Sequence, residues 1–259
     1  MSELAELRGR RDEVRGLSMF ARVSGDPTPP DAIDVVLVHG LVVSSAFVRE
    51  AARHLGRYHR AWAPDLPGYG RSAKPARTFG IEEQGEILGE WLESVGLRRA
   101  ALVGCSLGTQ VATAVAARRP QLVERLVLLG PTMDRELRSW PKALRQWLKE
   151  TPHEVGMTQI KLRDYARAGI GRAIETAQLA MADRMEDRLP LLNMPTLVVR
   201  GSRDHLVSQE WAEEVTRLLP RGRLVVLEGQ PHALNFTSPA LFADVVLEFL
   251  AEQAAVVGG

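Results

Sequence analysis

Ser106 is a candidate nucleophile, because it is the central residue of the motif Gly-Cys-Ser-Leu-Gly at residues 104–108. An apolar run precedes this motif, and a helix-compatible stretch rich in Ala and Val follows it. Between a strand and a helix, Gly-x-Ser-x-Gly makes a turn so tight that its flanking positions have little room for side chains. The turn would lift the Ser106 hydroxyl out of the backbone at the positive end of the helix. The motif therefore predicts nucleophilic chemistry at Ser106.

A base and an acid for this serine follow further along the chain. The serine hydroxyl is protonated at neutral pH, so it needs a base and a third group that orients the base. Of the six histidines, His232 comes just past the last apolar run, where the end of a strand would bring it towards the serine. Asp204 follows the preceding apolar run and is the predicted partner that fixes the imidazole tautomer. Asp134, just after the run at 126–129, is the alternative acid.

Strand-like and helix-like segments alternate along most of the chain and would position these residues. Continuous apolar runs predict strands buried on both faces. They lie at 33–38, 61–63, 100–103, 126–129, 196–199 and 224–227, with a first strand or hairpin at 14–23. Helical patterns lie at 82–95, 109–119, 209–219 and 239–253. The alternation indicates a doubly wound α/β domain, in which ligands gather at the carboxyl ends of the strands.

One segment, residues 132–192, breaks this alternation because it is rich in charge and contains no convincing strand. It is too long for a simple connection in a compact domain. We therefore predict a helical cap at 132–192, inserted after the sixth strand, and a core made of residues 14–131 and 193–253. About the first ten residues and the tail at 254–259 are expected to be frayed ends.

The cap is expected to cover the site and to select the substrate. The candidate pocket residues are Trp140 and Trp147 from the cap, with Val42, Phe47 and Leu234 from the core. Their apolar character predicts a pocket for a hydrophobic acyl or aromatic group. The cap is also rich in basic residues, which are most simply interpreted as a solvated helix face. The alternative is a site for an anionic substrate or carrier: a carboxylate, coenzyme A, or a phosphopantetheine arm on an acyl-carrier protein.

Composition and charge argue against several other classes of function. The chain has 259 residues, 45% of them hydrophobic, and a formal net charge of +1, which fits one large globular domain. This balance indicates neither nucleic acid nor an anionic membrane as a partner. The single cysteine excludes an internal disulfide, and the charged N-terminus predicts no signal peptide. The expectation is a cytoplasmic protein with a small-molecule substrate and with no metal or other cofactor.

The order Ser106, Asp204, His232 is that of the α/β-hydrolases, and the chain resembles this family from about residue 14 to residue 253. Four further segments carry the resemblance: Val-His-Gly at 38–40, Asp-Leu-Pro-Gly-Tyr-Gly-Arg-Ser at 65–72, Gly-Ser-Arg-Asp at 201–204, and Pro-His at 231–232. The resemblance implies the α/β-hydrolase fold, with a mostly parallel central sheet flanked by helices and a helical cap after the sixth strand.

The resemblance also implies roles for the residues around the serine. The backbone N–H groups of Leu41 and Leu107 would form an oxyanion hole, and His39 would brace its loop without transferring protons. The segment at 65–72 would likewise be structural. Cys105 is an unusual occupant of the position before the serine, and we interpret it as a small buried hydrophobic residue.

The activity implied by the resemblance is hydrolysis of an ester, thioester or lactone of a small to medium organic molecule, through an acyl-enzyme on Ser106. Carbon–carbon bond hydrolysis of vinylogous diketones and cofactor-free perhydrolysis use the same arrangement of groups. A different class of function is a non-hydrolytic scaffold, either a ligand receptor or a biosynthetic protein that shapes a reactive intermediate. The sequence leaves these alternatives open.

Overall fold

The computed structural model describes residues 4–25 and 31–252, and eight strands of these residues form one sheet. The strands are β1 (Leu7–Val14), β2 (Leu17–Ser24), β3 (Asp34–Val38), β4 (Arg60–Pro64), β5 (Ala100–Cys105), β6 (Val123–Leu129), β7 (Thr196–Gly201) and β8 (Gly222–Leu227). Their order across the sheet is β1-β2-β4-β3-β5-β6-β7-β8. The β1–β2 and β2–β4 pairs are antiparallel and all the others are parallel. The predicted mostly parallel sheet is confirmed.

Helices cover both faces of this sheet. In the described residues they are α1 (Arg49–Leu55), α2 (Ile81–Ser94), α3 (Leu107–Arg118), α4 (Trp140–Glu150), α5 (Thr158–Ala168), α6 (Ile170–Ala182), α7 (Met185–Arg188), α8 (Gln209–Leu218), α9 (Leu234–Thr237) and α10 (Pro239–Ala251). Helices α2, α3 and α8 pack on one face, and α1 and α10 pack on the other. Along β3, Val36 and Val38 join the first core cluster, whereas Val35 and Leu37 join the second. Burial on both faces explains why the central strands are continuous apolar runs.

The two edge strands differ from the sequence-based expectation. Strand β1 begins at Leu7, so the expectation of a frayed end over the first ten residues is wrong from Leu7 onward. Its sequence is Leu-Arg-Gly-Arg-Arg-Asp-Glu-Val and most of its residues are exposed, so it carries no apolar signal. It pairs with β2 through a two-residue turn in which Arg15 and Gly16 both have positive φ, 53° and 72°. At the other edge, the apolar run at 224–227 predicts a strand buried on both faces, but β8 is only half-buried and Val226 is 38% exposed.

The regular structure of residues 132–192 is helical, and it joins β6 to β7. This segment contains helices α4 to α7 and three 3-10 helices. Its second half is bonded to the core: the Arg188 guanidinium donates to Glu82 of α2 at 2.7 Å, and Tyr69 Oη lies 2.5 Å from Thr176 Oγ1. The predicted tail at 254–259 lies outside the described residues. Within those residues, no helix is both long enough and apolar enough to cross a membrane.

The topology brings four loops to one edge of the sheet. Strands β5, β6, β7 and β8 are parallel neighbours, so the loops that follow them emerge side by side. Ser106 follows β5, Gly130 follows β6, Asp204 lies in the loop after β7, and His232 lies in the loop after β8. The three residues selected from the sequence therefore stand at the carboxyl ends of β5, β7 and β8, with β6 between the first two of these strands.

Candidate active site

Ser106 occupies a strained turn between β5 and α3. Its φ of 56° and ψ of −124° lie in a region that residues other than glycine rarely adopt. Hydrogen bonds hold the turn: the Ser106 N–H donates to the Leu129 carbonyl at 2.8 Å, and the Ser106 carbonyl accepts from the Thr109 N–H at 2.8 Å. Strain of this kind costs about 1–3 kcal/mol and recurs at functional sites. The hydroxyl is thus presented at the N-terminus of α3.

The glycines of the motif are required by close packing of the backbone. A Cβ on Gly104 would lie 2.6 Å from the Gly108 carbonyl oxygen, and a Cβ on Gly108 would lie 2.2 Å from the Val38 carbonyl oxygen. Both distances are far below a van der Waals contact. On the other side of the serine, a Cβ on Gly40 would lie 3.1 Å from Ser106 Cβ. The loop after β3 therefore lies directly against the serine.

His232 and Asp204 form a buried hydrogen-bonded pair. The imidazole Nδ1–H donates to Asp204 Oδ2 at 2.7 Å, and the two residues are 5% and 4% exposed. The other carboxylate oxygen of Asp204 accepts the backbone N–H groups of Leu206 and Val207 at 2.8 and 2.9 Å. These bonds fix the carboxylate, which in turn holds the proton on Nδ1. A neutral imidazole in this tautomer presents Nε2 as a proton acceptor.

The alternative acid, Asp134, bonds to a different part of the structure. Its Oδ1 accepts from the Glu136 N–H at 2.9 Å, and its Oδ2 accepts from the Ser208 hydroxyl at 2.6 Å. That hydroxyl also accepts the Trp211 N–H, so it caps the start of α8. Asp134 therefore braces the element that follows the Asp204 loop.

The two predicted oxyanion donors belong to the helix that starts at the serine turn and to the loop after β3. Leu107 is the first residue of α3, and the first N–H groups of a helix have no acceptor within the helix. Leu41 follows Gly40 in the loop after β3, and the next residue, Val42, has a positive φ of 55°. The strained conformation of Val42 bends this loop beside the serine.

A network of buried polar side chains supports the loop after β3. The His39 Nδ1–H donates to the Gly40 carbonyl at 2.9 Å, and its Nε2 accepts the Leu66 N–H at 3.0 Å. The Asp65 carboxylate accepts from the Ser45 N–H at 2.6 Å and from the Arg71 N–H at 2.7 Å. These contacts engage both ring nitrogens of His39 and both oxygens of Asp65 with backbone groups. The two residues therefore act as braces, in keeping with the structural roles that the resemblance implies.

The buried His39 makes stability depend on pH. Burial lowers the pKa of His39 below its ordinary value of 6.5. As the pH falls below 6.5, the unfolded chain binds a proton at this imidazole before the folded chain does, which favours unfolding. We therefore expect the free energy of unfolding to decrease between about pH 7 and pH 5, and to decrease less steeply in His39→Gln. Urea titrations of both proteins across that range measure this, and parallel slopes would contradict it.

Gly130, at the end of β6, contacts the His–Asp pair and was not selected from the sequence. It has a positive φ of 55°, and a Cβ there would lie 2.7 Å from His232 Cε1 and 3.4 Å from Asp204 Oδ2. A glycine after an apolar run is typical of the end of a strand. The sequence therefore gives no sign that His232 and Asp204 also exclude a side chain at this position. The absence of a side chain at Gly130 makes room for the imidazole.

We expect Gly130→Ala to lower kcat by about 10²-fold, because a displacement of roughly 1 Å at a catalytic group costs that much. The left-handed backbone should also reduce the free energy of unfolding by about 1–2 kcal/mol. Gly96→Ala is the matched control: its φ is 85°, and nothing lies within 4 Å of the added Cβ. That control should lose stability and keep its kcat. Equal kinetic effects in the two variants would show that the Gly130 contact has no influence on activity.

The five candidate pocket residues fall into different environments. Val42 belongs to the core cluster on the α2 and α3 side of the sheet, whereas Phe47 and Leu234 belong to the cluster on the α1 and α10 side. Trp140 and Trp147 are 45% and 42% exposed on α4. An open cleft of about 330 Å³ lies along α4 and α5, and it is lined by Trp147, Thr151, Thr158, Lys161, Leu162 and Tyr165.

Cys105 is buried in the core and is not positioned as a nucleophile. It is 1% exposed and packs in the cluster on the α1 and α10 side of the sheet. Burial raises the pKa of its thiol, so the thiolate is disfavoured. This agrees with its interpretation as a small hydrophobic residue.

Comparisons with known proteins agree with this architecture. A sequence model of the α/β-hydrolase fold family matches residues 35–162. The chain is 29% identical over 253 residues to the polyketide synthase ThaQ of Burkholderia thailandensis, a match that covers 87% of this chain and 12% of ThaQ. It is 28% identical over 249 residues to a pimeloyl-[acyl-carrier protein] methyl ester esterase of Neisseria meningitidis, covering 85% of this chain and 95% of the esterase.

A solved structure has the same fold over nearly the whole chain. The bacterial membrane phospholipase A superposes with a TM-score of 0.80 at 22% identity, covering 98% of this chain and 87% of that protein. The esterase relative supports the predicted class of enzyme, a hydrolase. Three findings agree: the family match, the superposition and the eight-stranded sheet of the described residues. The chain belongs to the α/β-hydrolase superfamily.

Proposed function

We propose that this protein is a serine hydrolase that cleaves an ester, thioester or lactone through an acyl-enzyme on Ser106. One observation carries the proposal: the buried 2.7 Å bond between His232 Nδ1 and Asp204 Oδ2, at the same edge of the sheet as the serine turn. A buried carboxylate bonded to Nδ1 is the arrangement that turns imidazole into a general base for a neighbouring hydroxyl. The esterase relative supports the same class of reaction.

The proposed reaction has two halves. In the first, His232 Nε2 takes the proton from the Ser106 hydroxyl as its oxygen attacks the substrate carbonyl. The oxyanion that forms is stabilised by the backbone N–H groups of Leu41 and Leu107, each worth a factor of about 10²–10³ in rate. The imidazolium then gives its proton to the leaving alcohol, thiol or ring oxygen. In the second half, His232 activates a water that releases the acid from Ser106 by the same steps.

We propose that residues 132–192 form the cap that covers this site and selects the substrate. Helix α4 turns four large apolar side chains towards solvent, between 42% and 56% exposed: Trp140, Leu144, Trp147 and Leu148. Such surface suits an apolar acyl or aromatic group.

A second candidate substrate is an ester carried on an acyl-carrier protein. Helices α4 and α5 expose Lys142, Arg145, Lys149, Arg163 and Arg167, whereas their two acids, Glu150 and Asp164, are buried. This cationic surface beside apolar side chains complements an acidic carrier with an acyl group. The esterase relative is named for an acyl-carrier protein ester.

A series of p-nitrophenyl esters, from acetate to decanoate, tests the first proposal. We expect release of p-nitrophenol by the wild-type protein, none by Ser106→Ala, and an optimum chain length that measures the pocket. Wild-type protein that is inactive and is not labelled by a fluorophosphonate would overturn the proposal in favour of a non-catalytic scaffold. Comparing a free acyl methyl ester with the same acyl group on a carrier protein then tests the second candidate. Preference for the carrier that disappears in Lys142→Glu would support it, whereas equal rates would exclude it.

A further inference from the structure

Glu150, the last residue of α4, is a fully buried carboxylate at the candidate active site. It is 0% exposed. Its Oε1 accepts the backbone N–H of His232 at 2.8 Å, and its Oε2 accepts the backbone N–H of His205 at 3.0 Å. The first donor belongs to the candidate base itself, and the second belongs to the residue directly after Asp204. One carboxylate of the predicted cap thus touches both loops that carry the His–Asp pair.

The complete burial of the Glu150 carboxylate has to be compensated by favourable contacts. Removing a carboxylate from water is costly unless hydrogen bonds compensate it. Bonds from N–H groups to an ionised carboxylate are stronger than those between neutral partners, and here they are directed at two specific backbone atoms. An apolar residue of similar size would fill the same space without that cost, but it would leave the N–H groups of His205 and His232 without these acceptors.

The two contacts close a ring with the His–Asp bond. From Asp204 the path runs along the backbone to His205, across Glu150 to the backbone of His232, and through the imidazole back to Asp204. Backbone bonds such as the one from the Arg203 N–H to the Gln230 carbonyl, at 2.9 Å, already join the two loops near the strand ends. Glu150 adds a connection further out, because it holds the backbone of His205 and of His232 next to the pair itself.

We propose that Glu150 is a positioning residue, which sets the separation and orientation of the Asp204 and His232 loops and thereby couples α4 to the catalytic groups. The inference rests on the proposed function, since it assigns Glu150 a role in the same reaction. Glu150 does not touch the reacting atoms and acts through the two backbone N–H groups. Its removal should therefore lower kcat and leave KM nearly unchanged.

Two substitutions separate positioning from simple packing. Glu150→Gln keeps the size of the side chain, but its amide NH₂ faces one of the two N–H donors and cannot accept from it. Glu150→Asp is shorter, but it keeps two acceptor oxygens and the charge. Positioning predicts that the Asp variant is more active than the Gln variant, whereas packing predicts the reverse order. We expect kcat of Glu150→Gln to fall by about 10- to 100-fold, in the range that small displacements of catalytic groups produce.

The matched control is Glu186→Gln, which alters another buried carboxylate of residues 132–192. The Glu186 carboxylate is bonded to the Arg138 guanidinium at 2.6 and 2.8 Å, and its side chain is 5% exposed. This variant should lose thermal stability and keep its kcat. All variants are measured for kcat and KM on the best p-nitrophenyl ester, for melting temperature, and for the rate at which a fluorophosphonate labels Ser106.

The inference is supported if labelling rate and kcat fall together in Glu150→Gln and are partly restored in Glu150→Asp, with Glu186→Gln unaffected. It is overturned if Glu150→Gln keeps wild-type kcat, or if Glu186→Gln loses as much kcat as Glu150→Gln does. Failure of the proposed function has a different signature, namely a wild-type protein whose Ser106 is neither labelled nor needed for turnover. The two failures are therefore distinguishable in one set of measurements.

Discussion

Ser106→Ala should lose turnover on the order of 10⁶-fold, the loss seen when the serine of a comparable triad is removed. Without the hydroxyl no acyl-enzyme forms, and the remaining oxyanion donors and pocket act only on attack by water. The free energy of unfolding should change little, because alanine fills the same strained backbone position without disturbing the bond from the residue 106 N–H to the Leu129 carbonyl. Steady-state hydrolysis and urea unfolding of the purified variant measure both quantities.

The neighbouring Cys105→Ala is the control for this experiment. Its side chain is buried in the core, so the variant should keep its kcat. Intact protein mass after treatment with a fluorophosphonate should show one added label in the wild type and in Cys105→Ala, and none in Ser106→Ala. Turnover that survives in Ser106→Ala would place the nucleophile elsewhere and remove the basis of the proposed mechanism.

Asp204→Asn should lower kcat by about 10⁴-fold, as the same change does in a related triad. An asparagine can turn its NH₂ group towards His232 Nδ1, which then has to accept a hydrogen bond. The ring proton moves to Nε2 in that tautomer, so the imidazole can no longer take the proton of the serine hydroxyl. The fold should survive, because the amide oxygen can still accept the Leu206 and Val207 N–H groups that Asp204 Oδ1 accepts in the wild type.

Asp134→Asn is the matched comparison, because Asp134 is the alternative acid and its oxygens are bonded to Glu136 and Ser208. It should keep its kcat and lose some stability at the start of α8. A kinetic loss in Asp134→Asn together with normal activity in Asp204→Asn would reverse the assignment. Measuring both variants with one ester separates these outcomes directly.

The central sheet and the candidate catalytic residues were predictable because their signals are local in the sequence. A strand buried on both faces is a continuous apolar run, and a residue just past such a run must lie at the carboxyl end of a strand. That reasoning placed Ser106, Asp204 and His232 at the ends of β5, β7 and β8. The edge strand β1 escaped prediction because its exposed faces carry Arg, Asp and Glu instead of an alternating apolar pattern.

The supporting residues could not be predicted, because their constraints come from tertiary contacts. Gly130 must lack a side chain only because His232 arrives from a distant part of the chain. Glu150 bonds to backbone N–H groups, which every residue except proline possesses, so its partners leave no signature in the sequence. The apolar spacing of Trp140, Leu144 and Trp147 suggests a buried helix face, yet the structure turns this face of α4 towards solvent.

The backbone of Ser106 has an evolutionary consequence. A glycine would adopt its φ of 56° without the penalty that a Cβ brings, so the residue that best suits the fold at this position is not the one that suits the chemistry. Selection for thermostability alone would be expected to replace the candidate nucleophile, and only selection for turnover retains it. The turn is thus a place where stability and activity are in direct opposition within a single residue.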